Sequence, residues 1–196
     1  MKKNSAILIT SIILIAIGLI GIMTLNFLPG GITQNSSLGL GSTMMGDLDR
    51  HFIEQMIPHH EDAVLMAELA LTNADHEELK ALAENIKREQ SREIKEMRSW
   101  YKAWYGIDVP ESVMEMGGMG QGMMGDGTDL ESLESAKLFD KEFIEQMIPH
   151  HQMALMMVSM MLRGTQHEEM KKLAQDITRT QTEEINQMSA WYSTWY

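Results

Sequence analysis

Apolar and polar positions divide the chain into three regimes. Residues 6–28 carry no charge, and only Thr10, Ser11, Thr24 and Asn26 interrupt the apolar run. As a helix, these 23 residues span about 34 Å, enough for a hydrocarbon core of about 30 Å. They predict a single N-terminal transmembrane helix, with residues 1–28 as a membrane anchor. Lys2 and Lys3 place the N-terminus in the cytoplasm and everything after Leu28 outside it, in the periplasm or at the cell exterior. A cleaved signal peptide would have an apolar core of about 7–15 residues ending at small residues. The sequence Phe27-Leu28-Pro29-Gly30 offers no such site. Residues 29–46, rich in Gly, Ser and Thr without a period, predict a flexible tether.

The third regime is helical and is written twice. Residues 49–105 align with 140–196 at a constant offset of 91, without a gap, and about half the positions are identical. The longest shared run is FIEQMIPHH, from Phe52 to His60 and from Phe143 to His151. In the first unit Phe52, Ile53, Met56, His60, Ala63, Val64, Ala67 and Leu71 share one side at helical spacing. Asn73, matched by Gly164, then marks a helix end of the kind that takes a left-handed turn. Asp75…Glu78 and Thr165…Glu168 predict capping boxes opening a second helix. Its apolar face runs through Leu79, Leu82, Ile86, Ile94, Met97 and Trp104.

Pro58 and Pro149 fall inside the first helix of each unit, where a proline removes a backbone donor and predicts a kink. The alternative is a helix that begins at the proline. No strand patterning is visible. The expected fold is all-α, a four-helix bundle built from two tandem helix-hairpin repeats, 47–105 and 128–196. A Gly/Met-rich linker, 106–127, joins them.

Composition narrows the chemistry. The 196 residues include no cysteine, 20 methionines and 7 histidines, with a net charge of −12. Without cysteine there are no disulfides, thiolate zinc sites, iron–sulfur clusters or cysteine nucleophiles. The acidic balance argues against nucleic acid as a partner.

On a helical wheel Met56, His59 and Met66 share one side, with His60 closer to the centre of the apolar stripe. The second unit repeats this with Met147, His150, His151 and Met157, and adds Met153, Met156, Met160 and Met161. His150, Met153, Met157 and Met160 or Met161 form a ladder of one imidazole and three thioethers. A single methionine on a helix face is ordinarily core filling. Two His-His pairs beside a proline, flanked by methionine in both units, point instead to a metal site. In the linker, Met114, Met116, Met119, Met123 and Met124 stand among glycines that favour neither helix nor core. They read as soft ligands.

Softness selects the metal. Thioethers favour copper(I), and silver(I) with it, whereas imidazole also accepts copper(II). No calcium loop is present, and no Glu is followed three residues later by His, as a di-iron bundle requires. Further candidate ligands are Met97 and Met188 on the second helices, and His76 and His167 at their starts. Glu93 and Glu184 are expected to accept a ring N–H from histidine and so fix its tautomer. Gln90 and Gln181 recur beside them. The aromatic ends, Trp100 to Tyr105 and Trp191 to Tyr196, either close the bundle, form a partner surface or lie at the membrane interface.

MIPHHEDAVLMA (56–67), MIPHHQMALMMV (147–158) and the Gln90…Glu93-Ile94…Met97…Trp100 pattern resemble the domain-of-unknown-function 305 family. That resemblance implies a ferritin-like four-helix fold, and the family includes CopM-type extracytoplasmic copper-binding proteins. It further implies copper on Met56, His59, His60 and Met66, and on Met147, His150, His151 and Met157. The expected function is a membrane-tethered copper-binding protein for sequestration, delivery or resistance. Its partners would be the metal ion, the membrane, and a copper transporter or chaperone. No catalytic constellation is visible, so an enzyme is not expected. The alternatives are a metal-dependent redox enzyme and a helical interaction module without metal.

Overall fold

Residues 37–110 and 128–196 are described by a computed structural model, with side chains from residue 48 onward. The proposed anchor (1–28) and the five linker methionines lie outside the described residues. Among the described residues no helix is long and apolar enough to cross a membrane.

The described chain is all-helical. Its elements are α1 (Ser37–Asn73), α2 (Glu77–Tyr105), α3 (Leu130–Ser135), α4 (Phe139–Met161) and α5 (Glu168–Trp195). α1 begins at Ser37, so it takes in residues 37–46 of the stretch read from sequence as a tether. Their glycines weaken a helix by about 1 kcal/mol each without blocking it, and no proline intervenes before Pro58. α1 and α4 run through Pro58 and Pro149, so neither helix begins at its proline. Burial on both sides of Pro58, at Met56, Ile57, His59 and His60, carries α1 across the missing hydrogen bond.

Side chains from the four long helices pack into two apolar clusters. The first joins Phe52, Ile53, Met56 and Ile57 of α1 with Met97 and Tyr101 of α2. Met157, Val158 and Met161 of α4 complete it, with Leu173 and Ile177 of α5. The second is its counterpart: Ala63, Met66 and Ala70 of α1, Leu79, Leu82 and Ile86 of α2, Phe143, Ile144 and Met147 of α4, and Met188 of α5. The start of one repeat's first helix therefore meets the end of the other's, and α1 and α4 run antiparallel. Each large apolar side chain buried this way contributes about 1.5–3 kcal/mol of transfer free energy. Leu133 anchors α3 on the second cluster.

Helix starts differ from the expected boxes. The N-caps are His76 and His167, one and two residues later than the boxes require, and neither side chain caps its own helix. The start of α2 is held by a carboxylate of the opposite repeat, and that of α5 through Thr165, itself held by one. Asp140, almost fully buried at the start of α4, accepts the backbone N–H groups of Asp75 and His76, both at 2.9 Å. Asp49 accepts from Thr165 Oγ1 at 3.0 Å, and Thr165 Oγ1 in turn accepts the His167 N–H. Gly164 does not adopt the left-handed turn expected of it. Among the described glycines only Gly106, capping α2, has positive φ (74°). A Cβ at Gly164 would lie 2.6 Å from Leu48 Cδ2, the end of a side chain that would have to turn aside.

Candidate metal centre

The histidine pairs occupy the level at which α1 and α4 cross, between the two apolar clusters. His59 and His150 face one another, ring centroids 3.7 Å apart and planes tilted by 37°. Their sequence neighbours diverge symmetrically, with centroid separations of 6.2 Å for His59–His60 and 6.2 Å for His150–His151. All four imidazoles are buried.

Each outer imidazole is held by a carboxylate from its own repeat. His60 Nε2 lies 2.8 Å from Glu93 Oε2, and His151 Nε2 lies 2.6 Å from Glu184 Oε2. A carboxylate only accepts, so Nε2 carries the proton; in the neutral ring Nδ1 then keeps its lone pair. Both Nδ1 atoms are buried without a hydrogen-bond partner among the described residues. So is the whole side-chain amide of Gln90, one helical turn before Glu93, together with Gln181 Oε1. A bare buried lone pair costs about 1–3 kcal/mol. Opposite an anchored N–H, it has the arrangement of a metal-ligating histidine. Burial pushes the His150 imidazole well below the usual histidine range, helped by neighbouring His151 and His60 and opposed by a hydrogen bond with the His59 backbone. That ring therefore stays neutral and able to ligate at neutral pH.

Among the described residues no three His, Asp or Glu side chains assemble into a closed metal cage. The fold distributes the methionines across the repeats. Met56 lies in one cluster with Met97, Met157 and Met161, and Met66 lies in the other with Met147 and Met188. Met56 and Met66 are ten residues apart, about 15 Å along the helix, with the histidines between them. The grouping Met56-His59-His60-Met66 within one repeat thus splits, and its two thioethers fall on opposite sides of the imidazole layer. The ladder expected after His150 also divides. Met157 and Met161 are buried and Met153 is half-buried, whereas Met160 is exposed.

His76 and His167 serve the bundle ends. His76 Nδ1 lies 2.6 Å from Asp140 Oδ2, and the ring stacks on Trp195 at 3.7 Å. His167 repeats this with Asp49 at 2.7 Å and Trp104 at 3.9 Å. Asp140 precedes His150 by ten residues, again about 15 Å along α4, so the structure does not bring these rings to the central four. Tyr101 and Tyr192 close the same ends, each donating its hydroxyl to a first-helix carboxylate, Glu54 and Glu145. Sequence reasoning passed over Asp49 and Asp140, although their recurrence at the head of both repeats was the available signal.

The family described as Domain of unknown function (DUF305) matches residues 49–192. Among solved structures, CopM in the Cu(II)-bound form is 54% identical with a TM-score of 0.71, covering 76% of this chain and 97% of that one. CopM in the Cu(I)-bound form and in a co-crystallised Ag-bound form are each 51% identical, with TM-scores of 0.67 and the same coverage, 76% and 97%. The chain is also 41% identical over 51 residues to uncharacterized protein L153 of Acanthamoeba polyphaga mimivirus, a match covering 26% of this chain and 34% of that protein. It thus spans about a third of the length of that curated relative.

Proposed function

The chain belongs to the DUF305 family, and on that premise we propose that it is a copper-binding protein tethered to the membrane outside the cytoplasm. It sequesters copper or hands it to a copper transporter or chaperone, without a catalytic step of its own. Copper(I), and silver(I) in its place, sits at the two histidine pairs. Nδ1 of His60 and of His151 faces the ion while Glu93 and Glu184 hold the far side of each ring. Met56, Met97 and Met157 supply soft donors on one side of the imidazole layer, and Met66, Met147 and Met188 on the other. The linker methionines add capture capacity.

The observation that carries this reading is the pair of buried, bare Nδ1 atoms opposite carboxylate-anchored N–H groups. Likeness to CopM, which has structures with Cu(II), Cu(I) and Ag bound, supports the choice of metal. The test is metal analysis of the full-length chain after exposure to copper(I), copper(II), silver(I) or zinc and removal of free ion. Copper and silver are retained in preference to zinc. Replacing His59, His60, His150 and His151 with alanine abolishes most of that uptake while circular dichroism stays helical. Full retention by a helical quadruple variant would overturn the assignment.

A further inference from the structure

Two methionines of α4 face solvent. Met156 is 48% and Met160 56% exposed, so neither fills a core. The equivalent positions of the first repeat hold Leu65 and Leu69. Where only apolar bulk is wanted, the repeat therefore uses leucine, and the thioether is a departure from it.

Both methionines line a cleft of about 320 Å³ between α4 and α1, facing His51 and Gln55 across it. The buried Met157 and Met161 complete its α4 wall. His51 is exposed, and its Nε2 lies 2.7 Å from Gln55 Nε2, so the amide donates to a ring nitrogen that carries a lone pair. One imidazole and four methionine side chains thus line the same cleft, and an ion taken up there displaces the Gln55 amide from the ring nitrogen.

The symmetry-related place at the other end of the bundle acts as an internal control. His51 becomes Glu142 there, Met156 and Met160 become Leu65 and Leu69, and Met161 becomes Ala70. Glu142 and Gln146 bind the α3 segment instead, Glu142 accepting from Ser132 Oγ and Gln146 exchanging hydrogen bonds with the backbone of Asp129. Among the described residues, one end has polar anchors and a covering helix, and the other has soft donors and an open cleft.

We propose that this cleft is a second, solvent-accessible soft-metal site, in which His51, Met156 and Met160 take one monovalent copper or silver ion. Two thioethers and one imidazole match the preference of such ions. The site shares no donor with the buried histidine pairs, so the two readings fail separately.

Silver nitrate is the probe, titrated into full-length chain carrying ¹³C-methyl methionine, with resonances assigned by single Met→Leu variants. The Met156 and Met160 methyl resonances shift on silver addition, and still do so in the variant lacking His59, His60, His150 and His151. The Met156→Leu/Met160→Leu variant, which installs the repeat's own residues, binds about one silver ion fewer per chain at an unchanged melting temperature. His51→Gln weakens that ion about tenfold, as loss of one donor should. Methyl resonances of Met156 and Met160 that stay fixed through saturation, or a double variant with a full silver count, would overturn the site.

Discussion

Glutamine in place of Glu93 and Glu184 separates what these carboxylates do for the fold from what they do for metal. Each native carboxylate accepts Nε2–H from a buried imidazole, at 2.8 Å for His60 and 2.6 Å for His151. A hydrogen bond to a charged group is worth about 1.5–3 kcal/mol, against about 1 kcal/mol for a neutral one. The amide also donates, so it supports the other tautomer, with the proton on Nδ1 where the metal must bind. The lost bias is about 1–2 kcal/mol per site, or a factor of about 5–30 in dissociation constant. That overlaps the lower part of the roughly 10–100-fold effect typical of groups that orient metal ligands. Folding should suffer less. Arg92, 3.5 Å from Glu93, keeps Glu89 and Glu96 as partners, so no stranded charge results. Competition titration with silver(I) and a chelator measures the affinity. Histidine ¹⁵N shifts read the tautomer, and urea unfolding reads stability. Native silver affinity in the double variant would refute the orienting role, whatever the stability did.

Asp140→Ala removes a carboxylate, 1% exposed, that accepts two backbone N–H groups and faces His76 Nδ1. Urea unfolding should show a loss of about 2–4 kcal/mol, and a change below about 0.5 kcal/mol would contradict capping from the opposite repeat. The folded-state value of His150 lies below the ordinary 6.5 because burial and two neighbouring imidazoles oppose its charge. As pH falls below 6.5, the unfolded chain takes up a proton at this position that the folded chain refuses. Its contribution is therefore intact above that pH and is lost on acidification, by up to about 1.4 kcal/mol per pH unit. His150→Gln should flatten the acid limb of stability against pH by up to one proton, and an unchanged slope would exclude His150 as its source.

The helices and their duplication are local facts, and the sequence by itself determined them. Apolar residues recurring at 3.6-residue spacing define α1, α2, α4 and α5, and the constant offset between repeats needs no tertiary knowledge. The same periodicity places His60 on the buried stripe of α1, and Glu93 recurs with the buried stripe of α2. What the sequence could not determine is which repeat's side chains meet across the core. The antiparallel crossing of α1 and α4 sends Met56 and Met66 into different clusters and brings His59 against His150. It carries Asp140 to the backbone of Asp75 and His76, and sets Leu48 against Gly164. It also leaves Met156 and Met160 in the open on a helix whose other face is buried. These contacts join residues more than sixty positions apart. Periodicity fixes only which face of a helix is buried; the orientation of one hairpin against another is decided when both faces are buried together.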